Sequence, residues 1–384
     1  MASPGTFFEP QKLDASKLEI QRNPNPSKLI PPEGLRFGRY MTDHMLQVQW
    51  TLERGWQTPR ILPYQKISLD PTACVFHYGF ECFEGLKAYK DAEGRLRLFR
   101  PHMNMDRFKE SAARVALPSF ESEELIKLIA KFVRVEERKK GYSLYLRPVL
   151  VGTSGGLGVT CPTSALLYLV ASPVGAYYGD RTNAISLEAT NGSIATRAWP
   201  GGAGRHKVGG NYAPCVPPEK SAQMQGYQQC LWLFGEDDSI TEAGSMNIFV
   251  AFGVPGSKRF QLVTPPLNGV ILPGVTRDCI LKLAIEKLMP LGWLISERKV
   301  TMSELVAASD AGEIYRVFGT GTAAIITPVE SIRWGHRVIK CGPQGNNHGD
   351  PDEDLAQLLK GWIEDRQCGV EEHEWSVIVD EVER

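Results

Sequence analysis

Apolar and polar positions alternate along Thr42 to Thr51 (TDHMLQVQWT) and, strictly, along Arg95 to Phe99 (RLRLF). Period two marks a strand with one covered face, so both stretches predict strands, the second with an exposed face. Gly55-Trp56 reads as a turn. Apolar runs predict further strands over Ser143 to Val151, Ala165 to Ala171, Ala184 to Ala189, Gln228 to Phe234, Met246 to Phe252, Gln261 to Thr264 and Ile314 to Phe318. A longer period predicts helices over Pro101 to Val115, with proline at its start and basic residues facing out, and over Ser122 to Arg138. Ser122 caps the second, Glu123 and Glu124 fill its first turn, and Lys131, Arg134 and Arg138 gather towards its end, as the helix dipole prefers. Three more helices are expected over Thr276 to Leu288, Met302 to Ala311 and Asp354 to Gln367.

Strands and helices mix in both halves without regular βαβ alternation and without an internal repeat, so the expected class is α+β. A chain of 384 residues is long for one core, and two domains are expected. The boundaries predicted are an irregular arm over 1–34, rich in Pro, Asn, Ser and Lys, a smaller domain over 35–172, a connector over 173–183, and a larger domain over 184–384.

Composition narrows the function classes. The chain is 42% hydrophobic and 23% charged, with a formal net charge of −1 and no lysine or arginine block. A nucleic-acid partner needs a basic face, and electrostatic membrane anchoring needs basic clusters. The longest apolar run, Ala165 to Ala171, fits a buried strand and falls far short of a membrane span. The eight cysteines are scattered without C-x-x-C spacing, and no H-E-x-x-H is present, so no metal is expected. Free thiols fit a reducing compartment. No secretory signal opens the chain, and Glu9, Asp14 and Glu19 do not fit an acid-poor presequence. A cytoplasmic protein is expected, or a mitochondrial one if a presequence was removed.

Five places could carry chemistry. In Arg197-Ala-Trp-Pro-Gly-Gly-Ala-Gly-Arg-His-Lys207-Val-Gly-Gly-Asn-Tyr212, a lone lysine lies among five glycines, which allow close approach of a bulky group. It is either a solvated lysine on a surface loop or an amine placed to condense with a carbonyl. Asn268 to Thr276 joins a glycine turn to a helix start, which serves as a capped N-terminus or as a phosphate cradle. Phe318-Gly-Thr-Gly-Thr-Ala-Ala324 has the letters of a dinucleotide fingerprint. The β-branched residues Ile325, Ile326 and Thr327, followed by Pro328, forbid the helix that the fingerprint requires; a turn offering amides to an anion survives. Glu242 stands between apolar stretches, where a carboxylate is costly unless paired. It is an exposed turn residue or the partner of a protonated ring nitrogen. Tyr145 and Arg147 share one strand face and, with Phe37, Tyr78 and Phe83, form either ordinary core or an apolar pocket with one cation.

In this order, the segments FGRYMTDHML, HYGFECFEGLKAY, LFRPHMNMDR, SLYLRPVL, SPVGAYY, RAWPGGAGRHKVGGNYAP, TEAGSMNIF, LNGVILPGVTRD and FGTGTAA resemble the branched-chain amino-acid aminotransferases, pyridoxal-phosphate enzymes of fold type IV. The likeness runs from Phe37 to Trp375 and is strongest to eukaryotic, fungal-type forms. It implies a two-domain fold like that of D-amino-acid aminotransferase, with the cofactor between the domains. It implies Lys207 as the Schiff-base lysine, Glu242 as partner of the pyridine nitrogen, and Tyr212 as donor to the phenolic oxygen. Arg107, the amides of Val275 and Thr276, and Thr322 would hold the phosphate, with Arg197 near the cofactor. Phe37, Tyr78, Phe83, Tyr145, Arg147 and the Thr322-Ala323 turn would form the substrate pocket. Leu157 and Val159 would reach the neighbouring subunit's pocket in a homodimer. Mammalian members carry a C-x-x-C pair where this chain has Ala324 and Thr327, so thiol regulation of that kind is not expected.

The implied reaction is ping-pong transamination between leucine, isoleucine or valine and 2-oxoglutarate. Two other fold type IV activities, a D-amino-acid transaminase and an aminodeoxychorismate lyase, would keep Lys207 and Glu242 but line the pocket differently. A nicotinamide-dependent dehydrogenase is the alternative from another reaction class.

Overall fold

The computed structural model describes residues 10–28, 30–31, 34–136, 143–174, 184–190, 192, 195–254, 256–257, 259–342 and 354–382. The strands in chain order are β1 (Glu19–Ile20), β2 (His44–Thr51), β3 (Gly55–Trp56), β4 (Arg60–Pro63), β5 (Glu81–Phe83), β6 (Leu86–Lys90), β7 (Leu96–Phe99), β8 (Ser143–Gly152), β9 (Ser164–Val174), β10 (Ile185–Ala189), β11 (Gln229–Phe234), β12 (Ser239–Ala243), β13 (Met246–Gly253), β14 (Phe260–Thr264), β15 (Leu294–Glu297), β16 (Ile314–Gly321), β17 (Ile325–Trp334), β18 (Arg337–Lys340) and β19 (Ser376–Ile378). The helices are α1 (Cys74–Tyr78), α2 (Pro101–Arg114), α3 (Ser122–Val135), α4 (Val216–Met224), α5 (Val275–Leu283), α6 (Met302–Asp310), α7 (Leu355–Gln367) and α8 (Val379–Val382). Strands and helices are mixed, as an α+β chain requires.

The chain divides into two compact units. The first takes Met1–Gly175, His206–Gly209 and Gln367–Arg384; the second takes Ala176–Arg205 and Gly210–Arg366. The sequence reading differs at two points. The short segment bearing Lys207 groups with the first unit, and so does the end of the chain, because β19 pairs with β7.

In the first unit one sheet runs β1-β4-β2-β9-β8-β6-β7-β19, with β3 on β2 and β5 on β8. Alternation along β8 and β9 separates its faces. Leu146, Leu150, Leu167 and Leu169 are fully buried on one side. Tyr145, Arg147 and Val149 look the other way, and the register sets Phe83 and Tyr168 opposite Val149. The mixed aromatic and charged face is therefore built by strand periodicity alone. In the second unit, strands follow the order β12-β11-β10-β17-β16-β13-β14-β15, and an added β12–β13 pairing closes six of them into a ring. Leu187, Leu231, Ile248, Val250, Val317 and Ile332 belong to one apolar cluster of this unit.

Several local expectations fail for identifiable reasons. The N-terminal arm is ordered over its described part: Ala15–Lys17 forms a helical turn whose first N–H donates to Glu124, and β1 pairs with β4. Gly55-Trp56 forms the short β3 rather than a turn. β7 has no exposed face, because Arg97 is buried and bonded to Asp91 at 2.8 Å. Arg107 faces inward from α2 rather than out. Ser122 is the first residue of α3, with Glu121 as N-cap. Likewise α5 begins at Val275 behind Gly274, without a side-chain cap. Of the connector over 173–183, only Pro173 and Val174 are described, as the end of β9; the remainder, and Arg138, lie outside the described residues. Among the described residues no helix is long and apolar enough to cross a membrane.

Candidate functional site

Two constellations carry the residues singled out by sequence. The first surrounds Lys207. Its backbone N–H donates to Ser111 Oγ at 2.8 Å, and its carbonyl accepts from the Phe83 N–H at 3.0 Å. The next residue, Val208, bridges to Cys82. The lysine backbone is thus held from α2 and β5. Gly209 completes the arrangement: a Cβ there would overlap the Glu81 carboxylate, which is held above its ordinary range by burial, against the pull of the Gly209 N–H and Arg147. The lysine's Nζ stands 5.0 Å from the Phe83 ring centroid. Burial, and then the Arg107 cation, push its amine down to about 8, with Glu84 acting in the opposite direction.

Glu84 itself is fully buried. It accepts from Arg107 Nε at 2.5 Å and Nη2 at 2.8 Å, from Asn104 Nδ2 at 2.9 Å and from the Gly85 N–H at 2.9 Å. Burial alone raises its pKa, but Arg107, Lys207 and Asn104 outweigh burial and hold it below the usual carboxylate range.

On the same sheet face, Phe37 meets Tyr145 edge-on at 4.8 Å. The Arg147 guanidinium carbon lies 4.7 Å from the Phe83 centroid and 5.3 Å from that of Tyr145, and Nη2 donates to the Tyr145 hydroxyl at 3.0 Å. Its Nε is buried without a hydrogen-bond partner among the described residues. Tyr78 is exposed and its hydroxyl donates to the Leu157 carbonyl. Leu157 and Val159 are each 71% exposed on the loop between β8 and β9.

The second constellation surrounds Glu242 on β12. This carboxylate is 2% exposed, so it is not an exposed turn residue. Arg197 Nη1 donates to its Oε2, and Oε1 accepts from Asn247 Nδ2 at 3.3 Å and the Leu272 N–H at 3.4 Å. Burial works against the charge of Arg197, but Glu242 and then Tyr212 hold its pKa above the ordinary value. The guanidinium lies 5.9 Å from the Tyr212 ring centroid. Arg197 also borders a cavity of about 1000 Å³ with Asn211, Cys215 and Trp334 on its walls. Val275 and Thr276 open α5, and a Cβ on Gly274 would overlap the Asn247 amide oxygen.

Thr322 and Ala323 form the turn between β16 and β17. As the β-branched residues require, a strand follows this turn rather than a helix. Ile325 closes it at φ 63°, a strained conformation for a β-branched residue of the kind found at functional sites. Beside the turn, the buried hydroxyls of Thr320 and Thr327 have no hydrogen-bond partner among the described residues.

Sequence reasoning overlooked Glu84, Asn104, Ser111 and Asn247. The signal for Glu84 was present: an acid inside an apolar run, the same argument that singled out Glu242.

The sequence and the fold have counterparts. Residues 81–332 match the family model of the class IV aminotransferases. The mitochondrial branched-chain-amino-acid aminotransferase of Saccharomyces cerevisiae is 50% identical over 96% of this chain and 93% of its own length. The cytosolic one of the same yeast is 49% identical over 96% and 98%. A solved branched-chain amino acid aminotransferase from T.th., complexed with N-(5′-phosphopyridoxyl)-L-glutamate, superposes with a TM-score of 0.65 at 26% identity, covering 86% of this chain and 98% of that one. Near-full-length identity of this order leaves no ambiguity of kinship: the chain belongs to the class IV aminotransferases and, among them, to the branched-chain-amino-acid aminotransferase family.

Proposed function

We propose that this chain is a pyridoxal-phosphate-dependent aminotransferase that moves the amino group between leucine, isoleucine or valine and 2-oxoglutarate. The observation that carries the reading is Lys207: an amine pushed down to about 8, on a backbone pinned from two sides. A lysine of that kind is both a nucleophile for a carbonyl and a base near neutral pH. The residues present fit the cofactor. Lys207 would link it, and Arg107, the first N–H groups of α5 at Val275 and Thr276, and Thr322 would hold its phosphate. Tyr212 would serve its phenolic oxygen and Glu242 its ring nitrogen, with Arg197 nearby. The unpartnered hydroxyls of Thr320 and Thr327 beside the Thr322 turn are what an anion-binding turn leaves to be satisfied. When bound, pyridoxal phosphate supplies an electron-accepting ring that stabilises negative charge at the substrate's Cα.

The chain's own residues do the rest. Nζ of Lys207, in its neutral form, takes the Cα proton and later returns one. Glu242 keeps a proton on the ring nitrogen by its negative charge. The walls of Phe37, Phe83 and Tyr145 exclude water around an aliphatic side chain. Mixing purified protein with leucine and 2-oxoglutarate should yield glutamate and 4-methyl-2-oxopentanoate with ping-pong kinetics. Turnover of D-alanine with none of L-leucine would overturn this substrate assignment.

Arg147 separates the two substrate classes. Its guanidinium, set against two aromatic rings, pairs with the distal carboxylate of glutamate and lies along the ring faces when the side chain is aliphatic. Charge-assisted hydrogen bonds contribute roughly 1.5–3 kcal/mol each. Arg147→Met is therefore expected to raise KM for glutamate and 2-oxoglutarate about ten- to a hundredfold, with little change for leucine. Parallel kinetics and a melting curve check this; equal losses for both substrates would mean that dual recognition lies elsewhere.

The exposed apolar tip at Leu157 and Val159 favours a homodimer in which each tip enters the partner's pocket. Lys207→Ala mixed with Leu157→Asp/Val159→Asp should regain activity through hybrid dimers. Lasting inactivity after demonstrated subunit exchange would count against a shared site.

A further inference from the structure

We propose that Glu84 is a positioning residue that couples the two cations of the first unit's site, fixing the Arg107 fork and keeping the Lys207 amine a working base. The inference rests on the proposed function, because it concerns how that site is tuned.

The geometry is closed on all sides. Two carboxylate oxygens receive four donors: the Arg107 fork, Asn104 Nδ2 and the Gly85 N–H. A buried carboxylate satisfied in this way stays ionised and immobile. Asn104, Arg107 and Ser111 lie at i, i+3 and i+7 of α2 and share one side of it. Ser111 Oγ donates to the Arg107 carbonyl at 2.8 Å and accepts from the Lys207 N–H at 2.8 Å. One helical stripe thus joins Glu84 at one end to the lysine at the other.

The electrostatics give the arrangement a purpose. Arg107 and Arg147 both act against a charge on Lys207, while Glu84 and Tyr145 favour it. Arginine cannot surrender its proton, so an uncompensated Arg107 would strip the lysine amine of its own. An amine with too little affinity for a proton is a poor base. Glu84 offsets Arg107 at short range and also commits Nε and Nη2 of its guanidinium to one orientation.

The test uses the full-length enzyme loaded with pyridoxamine 5′-phosphate, which leaves Lys207 Nζ unlinked. Trace acetic anhydride labelling of Lys207, followed by mass spectrometry across pH, reports the amine's titration midpoint. Glu84→Gln should lower that midpoint by about one pH unit or more, the effect of losing a nearby opposite charge. It should also raise the Kd for pyridoxal phosphate about tenfold, because the fork is no longer held. Glu84→Asp should restore part of both. A folded Glu84→Gln protein with an unmoved midpoint overturns the proposal, since a merely structural acid would change only the melting temperature.

Should Glu84→Gln fail to fold, the double variant Glu84→Gln/Arg107→Met removes both charges of the pair. Its midpoint should return towards that of the wild type, whereas Arg107→Met alone raises it; identical midpoints for the single and double variants would equally overturn the proposal. Borohydride labelling keeps the two readings apart. A cofactor label on another lysine defeats the proposed function, whereas a label on Lys207 with an unmoved midpoint defeats only the role of Glu84.

Discussion

Lys207→Ala is expected to abolish transamination while leaving non-covalent binding of pyridoxal phosphate. The loss should reach at least about 10⁴, because general acid–base catalysis alone contributes roughly 10²–10⁴ and the covalent link disappears with it. The fold should survive: the contacts of Lys207 to Ser111 and Phe83 are made by its backbone, and alanine keeps them. Borohydride treatment of the wild-type holoenzyme and peptide mapping should find the cofactor on Lys207. The rival to watch is Lys87, buried on β6 opposite Tyr145; a label there, or on Lys282, would reassign the site. Methylamine supplied to the alanine variant should restore part of the rate, since the missing group is a small amine.

Glu242→Gln is expected to lower turnover about 10²–10³-fold, the usual loss when one preorganised electrostatic contact is removed. The structure adds a second effect that the sequence did not show. Arg197 is bound to this carboxylate, and both side chains are buried. Removing one partner of a buried pair leaves the other uncompensated, at a cost of roughly 3–5 kcal/mol, so the melting temperature should fall as well. Arg197→Met breaks the same pair from the other side and separates the two effects. If Glu242 serves the ring nitrogen, Glu242→Gln should lose far more turnover than Arg197→Met at a similar thermal shift. Matched losses in both variants would show that the carboxylate acts only through its partner.

What the sequence disclosed follows from range. Strand periodicity, glycine spacing and β-branched runs are local, and they placed β2, β8, β9, β13 and α5 and rejected a dinucleotide-binding turn at Gly319 to Ala324. Arg147 beside Tyr145 followed from alternation along one strand. Pairings between distant segments were out of reach. Nothing local to Arg97 says that a returning loop at Gly369 will pass over it, so its strand reads as half exposed. Nothing local to Glu84 reveals Arg107, 23 positions on. The glycines around Lys207 suggest room for a ligand, but at Gly209 the room is taken by the protein's own Glu81. Family resemblance names roles for single residues; the contacts that orient those residues are made by segments distant in the chain and belong to the fold.

The return of β19 to the edge of β7 carries a consequence for biogenesis. A ribosome releases the residues up to Gly175 first, yet the unit they belong to also needs His206–Gly209 and Gln367–Arg384. Roughly 190 residues separate Gly175 from Gln367, which at about 5–20 residues per second is a wait of some 10–40 s. Throughout that interval β7 is a bare sheet edge, the kind of surface that recruits strands from other nascent chains. The pairing of β19 with β7 can form only after the second unit has been synthesised, so a chain stalled or cut short before β19 leaves that edge open to other strands.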